Sequence, residues 1–188
     1  MKKTLLLLLI VLVSATAGFA AERVEMRTSA GVIKIELYAQ KAPQTVKNFL
    51  DYVDKGFYNT TVFHRVIDKF MIQGGGFDQN LKRKPTADPI TNEATNGLKN
   101  ERGTLAMART SAVNSATSQF FINLIDNDFL NNRGTDAQTY GYAVFGRVVE
   151  GMEVVDKIGH SRTVKRNMLF QNLPEPLVVI ESIRRVVP

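Results

Sequence analysis

The feature that most constrains the fold of this chain is a series of short segments in which apolar and charged residues alternate. In residues 24–38, VEMRTSAGVIKIELY, apolar side chains alternate with charged ones on both sides of a small-residue turn. Because successive side chains of a strand point to opposite faces, this segment predicts a hairpin with one buried and one solvent-facing side. Further strands are predicted at 62–67, 71–74, 104–107, 119–124, 143–149 and within PLVVIESIRRVV, residues 176–187.

Two segments have the helical period instead. The first lies within residues 42–56, where apolar residues three or four positions apart share one helical face: Val46, Phe49, Leu50 and Val53. Pro43 suits the first position of this helix and Gly56 suits its end. A shorter helix is predicted at 151–159, and residues 75–103 are expected to be irregular. Many short strands with two helices predict an all-β barrel or sandwich whose ends the helices cover.

Residues 1–20 have the three-part layout of a secretory signal peptide, with two lysines, an apolar run at 5–13 and small residues. Cleavage is predicted after Ala20, and cleavage after Ala17 is the alternative. The apolar run is too short for an ordinary transmembrane helix, which disfavours an uncleaved membrane anchor. The remaining residues, 21–188, are expected to form one exported, periplasmic domain that does not contact a membrane.

The absence of cysteine excludes thiol nucleophiles and thiolate metal sites. The two histidines, His64 and His160, are far apart in sequence, so no metal site is predicted. His64 is expected to be a hydrogen-bonded core residue on the strand face opposite Arg65. No G-x-S-x-G motif marks a serine hydrolase, and no cofactor is predicted. The glycines at 74–76 are expected to turn the backbone after a strand rather than to bind phosphate.

The net charge of +6 raises the question of a nucleic-acid partner. The longest basic cluster is KRK at 82–84, and it lacks the interleaved aromatic residues on which bases stack. We therefore expect this cluster to be a solvated loop, and we expect no binding of nucleic acid.

One predicted strand face combines a cation and amides with apolar side chains. If three of the predicted strands are neighbours, alternation brings three pairs together: Phe63 with Arg65, Met71 with Gln73, and Gln119 with Phe121. The walls would be completed from strand ends and loops by Phe70, Phe129 and Leu130. An isolated arginine is more often a surface charge or an ion-pair partner. The apolar residues predicted to surround Arg65 favour a functional role for this arginine.

Five segments of the chain resemble those of a known family. They are FHRVIDKFMIQGGGF, GTLAMAR, SATSQFFINL, DFL and YAVFGRVVEGMEVVDKI. Together they resemble the cyclophilin family of peptidyl-prolyl cis–trans isomerases, and most of all its exported bacterial members, over about Val24 to Val186. The resemblance implies a mostly β fold, an eight-stranded antiparallel barrel capped by two α-helices. It also implies a substrate, the X-Pro peptide bond of unfolded or flexible polypeptide segments that contain proline.

The resemblance also implies roles for individual residues. Arg65 matches the arginine that donates to the prolyl nitrogen, and Gln73 matches the glutamine that holds this arginine. The pocket for the proline ring is matched by Phe70, Met71, Phe121 and Leu130. Contacts with the substrate backbone are implied for Gln119 and for the edge segment Ala108, Arg109 and Thr110.

Three residues depart from the pattern of well-known eukaryotic members. Phe129 replaces a tryptophan, Tyr142 a histidine and Arg109 an asparagine, although all three are still assigned to the substrate site. The first two replacements predict weak affinity for cyclosporin-like cyclic peptides.

A non-catalytic holdase that binds proline peptides is the alternative function, and the presence of both Arg65 and Gln73 favours the enzyme. A monomer is expected.

Overall fold

The computed structural model describes residues 22–186, so the predicted signal peptide lies outside the described residues. The strands are β1 Glu22–Thr28, β2 Gly31–Leu37, β3 Thr61–Ile67, β4 Met71–Asp78, β5 Thr104–Met107, β6 Phe120–Asn123, β7 Val144–Glu150, β8 Thr163–Val164, β9 Leu173–Pro174 and β10 Val178–Val186. The helices are α1 Pro43–Asp54 and α2 Met152–Gly159, with single 3₁₀ turns at Ala94–Asn96 and Asp128–Leu130.

Eight strands close into a barrel in the order β1-β10-β3-β4-β6-β5-β7-β2. Every neighbouring pair is antiparallel. The antiparallel barrel with two helices that the resemblance implied is therefore confirmed. Closure gives each of these strands two partners, which removes exposed sheet edges without any disulfide.

The predicted hairpin at 24–38 is confirmed as β1 and β2. Val24 pairs with Ile35 and Met26 with Ile33, and all four side chains are fully buried. The charged residues that alternate with these apolar ones face outward and form surface ion pairs such as Arg23 with Glu36. The period-two alternation thus separates the barrel interior from solvent.

Both predicted helices are present and pack on the barrel core. In α1 the predicted apolar stripe is buried, and the ring of Phe49 lies 5.2–5.7 Å from the rings of Tyr58, Phe120 and Phe145. Val155 and Ile158 of α2 belong to the same core cluster. No helix within residues 22–186 is both long and apolar enough to cross a membrane.

A β-bulge in β3 overturns one prediction about side-chain faces. Phe63 lies opposite Gly74 and Arg65 lies opposite Gln73, so β3 has one extra residue in this interval. A bulge breaks the alternation of side chains. Phe63 consequently packs in the barrel core, and the prediction that it shares a face with Arg65 is wrong. The prediction that His64 and Arg65 face opposite sides is also wrong, because both line one outer groove.

The glycines at 74–76 lie within β4 and not after it, because the strand continues to Asp78. Gly75 has a positive φ of 79°, and a Cβ there would lie 2.8 Å from the Tyr58 ring and 2.9 Å from the Phe120 ring. The glycines therefore permit an irregular strand that closely approaches core aromatic residues. The predicted irregular segment begins later than expected, after Asp78.

The small sheet of β8 and β9 was not predicted. The segment that contains it places Phe170 and Leu173 against Phe77 and Val62, in a cluster separate from the barrel core. Strands of two residues give too short an alternation to recognise in sequence. This outer cluster covers the back of His64, whose ring lies 4.7 Å from that of Phe77.

Candidate active site

An outward-facing pocket lies over β3, β4, β5 and β6. Its lining residues are Arg65, Phe70, Met71, Gln73, Ala108, Arg109, Phe121, Leu130 and Tyr142. All nine belong to the predicted site, so the fold brings together residues from six separate places in the chain. The pocket is open to solvent, and the space within it is about 420 Å³ including that opening.

Arg65 is one of the two arginines that line this pocket. Its Nη1 donates a hydrogen bond to Gln73 Oε1 at 3.3 Å and lies 3.8 Å from Met71 Sδ, while its Cζ lies 5.8 Å from the centre of the Phe70 ring. Within residues 22–186 it forms no ion pair. Burial lowers the pKa of Arg65 from its usual value, but an arginine stays protonated in proteins. The cation is therefore half-buried and uncompensated.

Gln73 connects the arginine to a second amide. Its Oε1 accepts from Arg65, and its Nε2 donates to Gln119 Oε1 at 3.0 Å. The position of Gln119 in turn requires glycine at position 76, where a Cβ would lie 2.5 Å from Gln119 Cγ. The hydrogen bond from Gln73 Nε2 to Gln119 thus fixes the orientation of the Gln73 amide, so that Gln73 Oε1 faces the guanidinium of Arg65.

The floor of the pocket is apolar. Met71, Phe121 and Leu130 are buried in a cluster of their own on the outer side of the sheet. The ring of Tyr142 meets that of Phe121 edge-on, with centroids 5.7 Å apart. Because inward-pointing neighbours such as Ile122 belong to the barrel core, this second cluster stands on the opposite face of the same strands.

Phe129 lies at the rim and does not line the pocket. It is 57% exposed and stacks on Phe70, with ring centroids 5.6 Å apart. Two other predicted site residues, Thr110 and Gln119, line a neighbouring groove instead. The predicted set is therefore divided between a pocket, its rim and an adjoining groove.

Arg109 fixes the loop that carries Tyr142. Its guanidinium donates to the carbonyl oxygens of Gly141, Ala137 and Thr110 at 3.0, 2.7 and 3.0 Å, and its Cζ lies 4.8 Å from the centre of the Tyr142 ring. The backbone N–H and C=O of Arg109 make no hydrogen bond to residues 22–186. An extended peptide could pair with these free groups, as it could with a strand edge.

Three buried asparagines behind the pocket were not predicted. Asn123 Nδ2 donates to Asn100 Oδ1 at 3.3 Å, and Asn127 Nδ2 donates to Asn123 Oδ1 at 2.8 Å. Asn127 Nδ2 also donates to the Phe70 carbonyl at 3.0 Å, and Asn100 Nδ2 donates to the Leu130 carbonyl at 3.2 Å. The network connects the backbone at Phe70 with the backbone at Leu130, on two sides of the pocket. The available signal was a polar residue at 123 in an otherwise apolar strand.

The adjoining groove also contains residues that sequence reasoning missed. It is lined by His64, Arg65, Gln73, Phe77, Arg83, Ala108, Arg109, Thr110, Ser115, Thr117, Gln119 and Leu169. Arg83 lies on the groove wall and is exposed, in agreement with the predicted solvated loop at 82–84. Lys84 departs from that prediction, because its Nζ donates to the Phe57 carbonyl and lies 4.6 Å from the centre of the Phe57 ring.

His64 is buried, as predicted, but its hydrogen bonding differs from the prediction. Its Nδ1 has no hydrogen-bond partner among the described residues. Burial lowers the pKa of His64 from 6.5 to about 4, so the ring is neutral near pH 7. His160 is remote and exposed, with Nε2 3.6 Å from Asp68 Oδ1. Residues 22–186 contain no cluster of three histidine or acidic side chains that could hold a metal.

Comparison with known proteins places this chain beside isomerases. Residues 23–185 match the family model described as cyclophilin type peptidyl-prolyl cis-trans isomerase/CLD. Peptidyl-prolyl cis-trans isomerase B of Escherichia coli is 59% identical over 160 residues, which cover 85% of this chain and 97% of that protein. A peptidyl-prolyl cis-trans isomerase of Acinetobacter baylyi is 60% identical over 173 residues, or 92% of this chain and 89% of that protein.

A solved structure shows the same fold. The cyclophilin type isomerase of Cryptosporidium parvum superposes with a TM-score of 0.74 at 27% identity, over 90% of this chain and 99% of that one. A second crystal structure of that isomerase was obtained in the presence of the dipeptide Ala-Pro. The extent of the family match, the identity to bacterial isomerases and the closed barrel agree: the chain belongs to the cyclophilin-type peptidyl-prolyl cis–trans isomerases.

Proposed function

We propose that this isomerase promotes rotation about X-Pro bonds by donating a hydrogen bond from Arg65 to the prolyl nitrogen of a twisted amide. The single observation that carries the proposal is the placement of the guanidinium. It is held by Gln73 at the edge of an apolar pocket and has no carboxylate partner within residues 22–186. Its donors are therefore available to a bound peptide.

The chemistry of the bond explains why such a donor suffices. The C–N bond of an X-Pro amide has partial double-bond character, with a rotation barrier of about 18–20 kcal/mol. Rotation breaks no covalent bond, so no nucleophile or proton transfer is needed. Twisting localises a lone pair on the prolyl nitrogen. A donor directed at that lone pair stabilises the twisted amide more than either planar form, which is differential binding of the transition state.

The apolar floor has a complementary role in this mechanism. Met71, Phe121 and Leu130 would hold the proline ring while the preceding residue rotates. Burial of the ring also excludes water and strengthens the hydrogen bond from Arg65. The structure of the Cryptosporidium isomerase obtained with Ala-Pro supports a proline-containing peptide as the ligand here.

The backbone of the substrate would lie beside the segment that follows β5. The free N–H and C=O of Arg109 can pair with an extended peptide, and the Gln119 amide is within reach of the same groove. Contacts of this kind are independent of substrate side chains, so they suit an enzyme that acts on many unfolded chains.

The amino-terminal segment supports a proposal for the cellular compartment in which the enzyme acts. Residues 1–20 have the layout of a signal peptide, and we infer that they direct export to the periplasm and are removed after Ala20. The mature enzyme would assist folding of other exported proteins. Edman sequencing of the secreted form would test the cleavage site.

Two further properties belong to the same proposal. Cyclosporin-like cyclic peptides would bind weakly, because Phe129 stands exposed at the rim and the Tyr142 ring is held between Arg109 and Phe121. The mature protein would be a monomer. Isothermal titration with cyclosporin and sedimentation equilibrium test these two expectations.

The test of the function is refolding of a protein whose slow phase is limited by proline isomerisation. A catalytic amount of the purified enzyme should accelerate that phase without changing the final yield. A holdase would instead act only at stoichiometric concentration and would leave the rate constant unchanged. That second result would overturn the catalytic proposal.

A further inference from the structure

The groove beside the proline pocket has an unusual charge distribution. It shares Arg65, Gln73, Ala108 and Arg109 with the pocket, so the two form one continuous depression. The groove has an open volume of about 740 Å³. Its lining includes three arginines and no aspartate or glutamate, and the pocket lining contains no acid either.

Of the three arginines that line the groove, Arg83 has the fewest side-chain contacts. Its backbone is fixed by a β-bridge to Phe77, and its Cζ lies 5.9 Å from the centre of the Phe77 ring. Within residues 22–186 its side chain forms neither an ion pair nor a hydrogen bond, and the residue is exposed. Its position on the groove wall is therefore set by the backbone, while its guanidinium donors remain available.

The charge of Arg109 is also not neutralised. The groups that its guanidinium contacts are backbone carbonyls, of Gly141, Ala137, Thr110 and more distantly Ser111. Carbonyl oxygens satisfy the donors but carry no formal charge. A cleft lined by charges of one sign attracts ligands of the opposite sign, because its low-dielectric walls focus the field.

We propose that this groove selects X-Pro segments with a glutamate or aspartate close to the proline, and that Arg83 and Arg109 are the cations that this carboxylate meets. The inference rests on the proposed function, because the proline pocket sets the position of the peptide. An extended chain advances about 3.3 Å per residue. A ligand that occupies both the pocket and the adjoining groove therefore presents a side chain to these arginines within a few residues of the proline.

Arg65 is not assigned this role. Its guanidinium donates to Gln73 and lines the pocket, where the proposed function places the prolyl nitrogen. Leu169 lies on the same groove wall and is 64% exposed. The aliphatic part of a glutamate side chain can pack on such a surface while its carboxylate reaches an arginine.

The experiment compares matched peptides that differ at one residue, which is glutamate, glutamine or lysine, placed one to three positions before or after the proline. The measured quantity is the ratio of kcat/KM for the glutamate peptide to that for the lysine peptide. At least one position should favour glutamate by roughly threefold to tenfold at low salt, the size expected for partly exposed charge pairs. The ratio should approach one in 1 M salt, where the Debye length is only about 3 Å.

Charge reversal at one position identifies the groove. Arg83→Glu should invert the ratio, so that lysine peptides are preferred, and Arg83→Gln should abolish most of the preference. Arg23→Glu is the matched control, because it makes the same change of charge on β1, at an exposed ion pair with Glu36. The ratio of that control should stay near the wild-type value.

Two results would overturn the inference. One is equal turnover of glutamate and lysine peptides by the wild-type protein at every position, and the other is a ratio in Arg83→Glu that equals the ratio in Arg23→Glu. Turnover of the neutral glutamine peptide separates this failure from a failure of the proposed function. An enzyme that isomerises the neutral peptide without any charge preference is an isomerase whose groove does not select acidic segments.

Discussion

Arg65 Nη1 lies 3.3 Å from Gln73 Oε1, and the two residues are direct partners in the pairing of β3 with β4. The bulge between Phe63 and Arg65 makes this contact possible, because it places the arginine on the outer face only two residues after Phe63, which lies in the core. The same hydrogen bond aligns the guanidinium over an apolar floor. The geometry of the proposed catalytic group is therefore produced by strand register and not by a flexible loop.

Replacement of Gln73 by methionine should reduce catalysis without reducing stability. Methionine has a similar length but cannot accept from Arg65 or donate to Gln119. Loss of one hydrogen bond of ordinary strength predicts a fall in kcat/KM of roughly threefold to tenfold. A protease-coupled peptide assay measures this, with thermal unfolding as a check of the fold. Full activity in this variant would mean that Arg65 is positioned without Gln73.

The rate of isomerisation should be almost independent of pH from about 6 to 9. The proposed donor is an arginine, which does not titrate in this range. His64 lines the adjoining groove, but burial lowers the pKa of His64 to about 4, so it is already neutral. The measurement is kcat/KM across this range in buffers of constant ionic strength. A bell-shaped profile would indicate a proton-transfer step and contradict the mechanism.

The stability of the fold, in contrast, should depend on pH through His64. The pKa of His64 is about 4 in the folded protein and 6.5 when unfolded. Between these values the unfolded state binds a proton that the folded state does not, so the free energy of unfolding falls as pH decreases from 6.5 to 4. The contribution lost over this window is about 3 kcal/mol.

Denaturant titrations at pH 7 and pH 4.5 measure this loss. The carboxylates of the protein also respond to acid, so the informative quantity is the difference between wild type and His64→Leu. The variant lacks the titrating ring and should lose less stability on acidification. An identical loss in both proteins would show that His64 does not contribute.

Removal of the central amide of the asparagine network should affect both stability and substrate binding. In Asn123→Leu the connection between Asn100 and Asn127 is broken, and buried polar groups lose partners. This should reduce the free energy of unfolding by about 1–3 kcal/mol and raise KM, because the backbone at Phe70 and the backbone at Leu130 are no longer held together.

The matched control for this variant is Ile122→Val, one residue earlier on the same strand. Ile122 is fully buried in the barrel core, and its truncation should cost about 0.5–1.5 kcal/mol. KM of this control should equal that of wild type at a temperature where both proteins are folded. A similar rise of KM in the two variants would assign Asn123 a role in stability alone.

Much of the fold could be predicted from local pattern. The β1–β2 hairpin follows from alternation between Val24 and Leu37, and α1 follows from its apolar stripe and from Pro43. The observed strand boundaries differ from the predicted ones where tertiary contacts override the local sequence pattern. The strand β4 continues through three glycines, and the rings of Tyr58 and Phe120 leave no room for a side chain at Gly75; no sequence period shows that contact.

The site could be predicted as a set of residues but not as a geometry. Strict alternation placed Phe63 with Arg65, whereas the bulge at His64 separates them. A bulge depends on how two strands pair, so one strand alone cannot reveal it. Arg83 was missed for a similar reason. It reaches the groove through a bridge to Phe77, and nothing in the run KRK indicates that contact.

Arg65→Ala gives the clearest test of the proposed mechanism when turnover and peptide affinity are measured on the same variant. Loss of one donor to the transition state predicts a fall in kcat/KM of at least about 100-fold. The Kd for an X-Pro peptide should change only a few-fold, because the apolar floor of Met71, Phe121 and Leu130 remains. Undiminished turnover, or turnover and affinity that fall together, would contradict the role of Arg65 as a donor to the twisted amide.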